Sequence, residues 1–129
     1  MKSKAKSASP VKKLPTNAAN FRRLALGLPE ATQGSHFGQT DFRVGGKIFA
    51  TLSLAKEGYG VLLLTPAQQA GMVADEPESF SPVPNGWGRH GATRVSLRKA
   101  PTDILEAALK TAWRIRAPKH LLQSELKEV

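Results

Sequence analysis

Apolar residues recur along the chain first at helical spacing, then at strand spacing, and then at helical spacing again. The first helix is predicted to begin at a cap formed by Thr16 or Asn17. It is predicted to end at Gly27 and Pro29, because both residue types terminate helices. Its apolar positions lie three or four residues apart: Phe21, Leu24, Ala25 and Leu28. This spacing indicates an amphipathic helix with one face against a core.

Residues 31–64 contain the short apolar runs and turn residues that are typical of consecutive strands, which predicts an antiparallel meander. Gly45-Gly46 predicts a two-residue hairpin turn, because paired glycines accept the positive φ angles that such a turn needs. The sequence KEGYG predicts the next turn, and residues 60–64 form a second apolar strand.

The Gly45-Gly46 turn fixes a register that the structure can test. It pairs Val44 with Lys47 and Phe42 with Phe49, and it leaves Asp41 and Arg43 on the face that carries Ile48. Both faces of this hairpin are then partly apolar. Either both faces are partly covered, or the loop is longer than two residues.

The second half of the chain predicts a short helix, a strand and a long helix. Thr65-Pro66 is a strong helix start. The helix of residues 66–75 precedes a proline-rich connection, and Thr93–Leu97 is a strand with Arg94, Ser96 and Arg98 on one face. Pro101-Thr102 begins the longest helix, in which Trp113 is expected in the core, and a short helix follows Pro118.

This order of elements, α-β-β-β-β-α-β-β-α, predicts one α+β domain: an antiparallel sheet with helices packed mainly on one face. We expect a disordered basic tail over residues 1–15, the domain over 16–122, and a C-terminal tail over 123–129. The tail prediction rests on lysines 2, 4, 6, 12 and 13, which supply about half of the net charge of +9 and have no acidic neighbour.

Composition excludes several kinds of site. Cysteine is absent, which removes disulfides and thiolate chemistry and is typical of a cytoplasmic protein. Without an apolar run of about 18 residues, no membrane association is expected. The chain has neither a phosphate-binding glycine loop with Lys-Ser/Thr nor a G-x-S-x-G elbow, and His36, His90 and His120 are far apart. We therefore expect a protein that is not an enzyme and has no cofactor or metal.

The stretch PNGWGRHGATRVSL, residues 84–97, combines a turn with positive charge. Its glycines predict a turn that places Trp87 in a small core, with Arg89 and His90 on the loop. Basic residues without an acidic neighbour continue from this loop into the next strand, and two more flank the Gly-Gly hairpin. The resulting candidates for contact with DNA phosphates are Arg43, Lys47, Arg89, His90, Arg94, Arg98 and Lys99. A solvated strand face and hairpin tip remain the alternative interpretation.

A second group of candidates would bind a ligand rather than DNA. His36 and Phe37, together with Trp87, are candidates for lining a pocket. His36 could instead be a half-buried histidine that bonds to the backbone. The apolar sheet face around Phe42 and Phe49 is a candidate surface for a protein partner.

Five segments spread over the chain carry a resemblance to a known family: Leu28-Pro29, Ser35 to Gly38, Phe42 to Ala50, Trp87-Gly88, and Ala117 to Lys119. In these segments the chain resembles the MmcQ/YjbR family, from about Phe21 to Leu121. The resemblance implies a YjbR-like α+β domain related to secretion-chaperone-like and double-wing architectures. Members of the family are often labelled DNA-binding, which implies duplex DNA as a partner, largely without sequence preference. A protein partner is the alternative, and we expect a monomer or weak dimer.

Overall fold

The computed structural model describes the backbone of residues 17–127 and the side chains of residues 17–123. The predicted basic tail of residues 1–15 lies outside the described residues. The helices and strands are α1 Ala18–Leu26, β1 Thr32–His36, β2 Gln39–Val44, β3 Lys47–Thr51, β4 Tyr59–Leu63, α2 Pro66–Asp75, β5 Phe80–Pro82, α3 Gly86–Arg89, β6 Ala92–Ser96, α4 Thr102–Arg116 and α5 Lys119–Lys127.

The six strands form one antiparallel sheet in the order β1-β2-β3-β4-β6-β5. The predicted fold class, a single α+β domain, is confirmed. The predicted order contains two strands between the second helix and the longest helix, and the structure places the first of them, the edge strand β5, in the proline-rich connection, where Pro82 ends it. One element goes beyond the prediction: the loop before β6 contains the short helix α3. Proline is tolerated in β5 because an edge strand has one side free of ladder hydrogen bonds.

The helix boundaries follow local capping chemistry. Asn17 caps α1 by accepting a hydrogen bond from the N–H of Asn20, and Gly27 ends the helix. Thr65 forms a capping box with Gln68 at the start of α2, where Pro66 is the first helical residue. The last helix, α5, continues to Lys127, beyond the predicted domain boundary at residue 122.

The β2–β3 hairpin confirms half of the predicted register. Val44 lies opposite Lys47, as expected for a Gly45-Gly46 turn. Phe42, however, lies opposite Ala50 rather than Phe49, because the register shifts at a bulge between residues 42 and 43. The bulge inserts Phe49 as an extra residue in β3, so Phe49 and Ala50 are both buried. The two-residue turn is kept, and both phenylalanines lie in the main core.

One face of the sheet carries the main core. Helices α1 and α4 pack on this face, and Phe21, Phe42 and Trp113 are fully buried in it. The indole N–H of Trp113 donates to the backbone oxygen of Pro29 at 3.0 Å, which satisfies its only polar group. The core position predicted for Trp113 is confirmed.

The opposite face of the sheet is mostly polar, and we call it the polar face. Its side chains are fixed by the register, because residues paired across antiparallel strands point to the same side. One row of paired residues crosses all six strands in sheet order: Gly34, Asp41, Thr51, Val61, Arg94 and Ser81. A small apolar cluster of Val61, Val83 and Ala92 also lies on this face, with Leu54 and Leu63 packed against it.

The two ends of the sheet carry different loops. The turn at residues 37–38, the connection 52–58 and residues 97–99 lie at one end, which we call the Phe37 end. The Gly45-Gly46 turn and α3 lie at the opposite end, which we call the Gly45 end. This separation decides which of the predicted site residues are neighbours.

Candidate functional site

A buried carboxylate on the polar face holds two basic side chains. Asp41 has no exposed surface. The guanidinium of Arg43 donates twice to it, from Nε to Oδ1 at 2.7 Å and from Nη2 to Oδ2 at 3.0 Å. His36 Nδ1 lies 2.8 Å from Oδ2. Because the Nδ1 atom of His36 is held by the carboxylate, the Nε2 side of its imidazole is left for other contacts.

The register of the first hairpin creates this cluster. His36 is the last residue of β1 and pairs with Gln39, while Gly34 pairs with Asp41. A Cβ atom on residue 34 would lie 2.9 Å from Arg43 Nε and 3.0 Å from Asp41 Oδ1. Glycine at this position therefore gives the Arg43 guanidinium room to lie across the strand and reach the carboxylate.

The charges in the cluster stabilise one another. The hydrogen bonds from Arg43 lower the pKa of Asp41; burial opposes this shift, and the bond with His36 adds to it. The same contact with Asp41 raises the pKa of Arg43. Asp41 therefore remains ionised and neutralises much of the positive charge that Arg43 would otherwise present.

Arg94 is the second basic residue of the polar face, and its surroundings differ from those of Arg43. Its guanidinium carbon lies 4.3 Å above the centre of the Tyr59 ring, and its Nε donates to the hydroxyl of Ser81 at 3.2 Å. In the described part of the chain, no carboxylate forms an ion pair with Arg94. Arg94 is therefore a half-buried guanidinium whose position is fixed by uncharged groups.

A cleft of about 300 Å³ adjoins Arg94 at the Phe37 end of the sheet. Both direct neighbours of Arg94, Tyr59 and Ser81, line it, together with Pro77, Glu78, Ser79, Phe80, Ser96 and Lys99. Ser96 accepts hydrogen bonds from the N–H groups of Arg98 and Lys99, which fixes the turn after β6. Lys99 thus lines a hydroxyl-rich cleft that contains one acid, Glu78, and Arg94 borders this cleft through its contacts with Tyr59 and Ser81.

The predicted basic residues separate into three places. Arg43 lies beside Asp41. Arg94, Arg98 and Lys99 lie along β6 and at its Phe37 end, although β6 ends at Ser96 and Arg98 is outside the strand. Lys47, Arg89 and His90 are exposed at the Gly45 end. The structure therefore places Lys99 in the cleft that Arg94 borders, and it places the Arg89–His90 pair at the other end of the sheet.

The loop around Trp87 differs from the prediction. Residues 86–89 form α3, and Trp87 is 41% exposed instead of being packed into a core. The tight packing belongs to Gly88, where a Cβ atom would lie 1.7 Å from the backbone oxygen of Val83. The residue of α3 that packs closely against the neighbouring segment is therefore Gly88 and not Trp87.

Two parts of the ligand-binding alternative do not fit the structure. Phe42 and Phe49 are fully buried under the helices, so the apolar sheet face proposed for a protein partner is the core itself. His36 lies at the tip of the edge strand β1, whereas Trp87 precedes β6, four positions along in the sheet. These two residues therefore do not line a common pocket. His36 also bonds to the Asp41 carboxylate rather than to the backbone.

Sequence reasoning missed three residues that position the basic side chains: Asp41, Tyr59 and Ser81. Alternation along β2 places Asp41 and Arg43 on one face, which is a signal for their ion pair. The contacts of Arg94 with Tyr59 and Ser81 depend on the pairing of β6 with β4 and β5. Ser81 lies in the proline-rich segment that showed no strand pattern.

The comparisons with known proteins agree with this fold. A family model named YjbR matches residues 26–115, which contain all six strands. The chain belongs to the YjbR family. The family suggested by the sequence resemblance is thus confirmed.

A solved structure supports the YjbR fold independently. The crystal structure of Deinococcus radiodurans protein DR2400, described with the family-model domain DUF419, aligns with a TM-score of 0.64. The alignment covers 81% of this chain and 79% of that chain at 17% identity, so it shows a shared fold. No curated protein sequence matches the chain.

Two further findings concern the described residues of this YjbR protein. None of their helices is both long enough and apolar enough to cross a bilayer. Within residues 17–123, no three histidine or acidic side chains lie together in a way that could hold a metal ion.

Proposed function

We propose that this YjbR protein is a non-enzymatic module, without a cofactor, that binds duplex DNA through its phosphates and largely without sequence preference. The observation that carries the proposal is Arg94 on the polar face, a half-buried guanidinium that no carboxylate of the described residues neutralises. Phosphate is an anion that guanidinium binds in a bidentate geometry.

The contacts of Arg94 prepare it for such an anion. Stacking on Tyr59 and the bond to Ser81 restrict the side chain before any ligand arrives, so binding orders it less. Neither contact uses up its charge. Arg43 is the opposite case, because its charge is already matched by Asp41. Of the two arginines, Arg94 is therefore the one expected to contact a phosphate.

Other basic residues extend this surface towards the Phe37 end. Lys99 lines the cleft next to Arg94, and Arg98 is exposed beside it. The hydroxyls of Ser81 and Ser96 add neutral groups that hydrogen-bond to phosphate oxygens. Such contacts position a duplex but do not read its bases, which accounts for the proposed lack of sequence preference.

Replacing Arg94 with alanine tests the proposal. We expect Arg94→Ala to weaken duplex binding roughly fivefold at about 50 mM salt and to reduce the slope of log K against log salt by about 0.9, because one phosphate contact is lost. Fluorescence anisotropy with a labelled duplex at several salt concentrations measures both quantities.

Arg23→Ala is the matched control for Arg94→Ala. It removes the same charge from an exposed arginine in the last turn of α1, on the core side of the sheet. We expect this variant to keep the native salt slope. Equal slopes for the Arg94 and Arg23 variants would reject Arg94 as a phosphate contact, and no binding by the native chain at low salt would reject DNA binding altogether.

Deleting residues 1–13 tests how much of the binding comes from the lysine-rich segment. This segment holds five lysines and no acid. We expect the deletion to lower the affinity and the salt slope without abolishing binding, because the polar face supplies contacts of its own. Complete loss of binding in the same anisotropy titration would show that the affinity resides in the segment and would contradict the role of the polar face.

A further inference from the structure

The hairpin between β1 and β2 ends in a fully exposed aromatic residue. Phe37 is 99% exposed, and it occupies the first of two turn positions between the paired residues His36 and Gln39. The φ angles are +51° at Phe37 and +75° at Gly38, which is the pattern of a two-residue hairpin turn with positive φ at both positions.

Neither the turn nor the core accounts for phenylalanine at this position. Asn-Gly is the preferred pair for such a turn, and positive φ is unfavourable for a bulky side chain. The ring has no place in either apolar cluster of the domain. The ring makes a T-shaped contact with the ring of the neighbouring His36, at 6.0 Å between ring centres. Phenylalanine is therefore unfavourable for this turn, and burial of its ring does not compensate for that cost.

The isolation of Phe37 indicates the shape of its partner. In the described part of the chain the only other large exposed apolar residue is Trp87, which lies at the opposite end of the sheet. A protein interface needs a patch of several hundred Å² with an apolar centre. A single ring on a narrow hairpin matches instead a slot that is one ring thick, such as the space between two base pairs.

The hairpin tip lies at the same end of the sheet as the cleft beside Arg94. His36 at the base of the tip belongs to the polar face, and Lys99 and Arg98 are at this end as well. β1 and β6 are four positions apart in the sheet, so a duplex that runs across this end from the cleft towards β1 would bring one of its grooves to the tip. Side chains that enter a groove and separate adjacent bases are a known way of recognising deformable DNA.

We infer that Phe37 inserts between adjacent base pairs of the bound duplex and partly unstacks them. This inference rests on the proposed binding of duplex DNA and adds to it a contact with the bases. Pyrimidine–purine steps unstack most easily, so the protein would favour duplexes rich in such steps over stiff A-tracts.

Insertion of a ring differs from phosphate contact in a measurable way. The ring carries no charge, so its loss lowers the affinity at every salt concentration and leaves the salt slope unchanged. Loss of the stacking between a base and an aromatic ring is expected to weaken the affinity for the duplex about tenfold. Insertion also unwinds the duplex, which phosphate contacts alone do not require.

Phe37→Asn is the variant of choice, because asparagine suits the turn and keeps the hairpin folded. We expect about tenfold weaker duplex binding with the native salt slope, a thermal midpoint no lower than that of the native chain, and loss of unwinding. Unwinding is measured by relaxing a closed circular plasmid with topoisomerase I in the presence of the protein. Phe37→Trp provides the positive control, since tryptophan also stacks and should preserve unwinding.

The outcomes separate this inference from the proposed function. If the native chain binds no duplex at low salt, the proposed function fails and the insertion fails with it. If the native chain binds and Phe37→Asn binds and unwinds equally well, only the insertion is overturned. Equal DNA binding together with a loss of binding to anionic lipid vesicles in Phe37→Asn would assign the tip to membranes and likewise overturn it.

Discussion

Replacing Asp41 with alanine is expected to lower the free energy of unfolding by about 2 to 3 kcal/mol. The substitution removes a fully buried carboxylate that holds Arg43 through two bonds and His36 through one. The side chains of Arg43 and His36 are 34% and 37% exposed, so water can partly solvate them after the loss. The effect therefore falls below that of breaking a fully buried ion pair. Urea unfolding at neutral pH measures it.

The control for Asp41→Ala is Asp75→Ala, which removes the same charge from an exposed position at the end of α2. We expect Asp75→Ala to change the free energy of unfolding by less than about 0.5 kcal/mol. Equal effects of the two substitutions would show that the cluster around Asp41 does not stabilise the fold.

The same carboxylate predicts the direction of a pH effect. The hydrogen bonds from Arg43 hold the pKa of Asp41 below its usual range in the folded chain. As the pH falls, the unfolded chain therefore binds this proton first, and the contribution of Asp41 to stability declines. The contribution is complete above about pH 5 and is lost as the pH falls through the lowered pKa. The difference in stability between the native chain and Asp41→Asn should shrink over this range, and a constant difference would contradict the assignment.

The fold could be predicted from the sequence because its signals are local. Thr65-Pro66 predicted the start of α2, and the Gly45-Gly46 pair predicted the turn between β2 and β3. Each of these features depends on residues that are adjacent in the chain. The family resemblance agreed with them, because it follows from the same segments.

The parts that could not be predicted depend on pairing between distant segments. The bulge at Phe49 changes the partner of Phe42 from Phe49 to Ala50, and nothing in the Gly45-Gly46 turn predicts it. The predicted order included a strand before β6, but the prolines concealed its position, and β5 is defined by its pairing with β6. The candidate site has the same origin, since the stacking of Arg94 on Tyr59 follows from the pairing of β4 with β6. Sequence reasoning supplied the arginine but not its neighbours.

Replacing Gly88 with alanine is expected to cost about 3 kcal/mol, because a new Cβ atom would lie 1.7 Å from the backbone oxygen of Val83. A backbone oxygen cannot rotate away as a side chain can, so α3 must move. The movement also strains the bonds that the amide of Gln69 donates to the backbone oxygens of Gly88 and Ala92. These bonds join α2 to α3 and β6.

Gly86→Ala separates this close approach from a general preference for glycine in α3. A Cβ atom at residue 86 would meet the end of the Arg89 side chain, with Nη2 at 3.3 Å, and that flexible side chain can turn aside. We therefore expect Gly86→Ala to change stability by less than about 0.5 kcal/mol, while Gly88→Ala lowers the thermal midpoint sharply. Similar midpoints for the two variants would mean that α3 does not press on Val83. A large difference would assign the glycine at position 88 of the GWGRHG stretch to backbone packing, and would leave the exposed side chains of this segment, those of Trp87, Arg89 and His90, for contact with a partner.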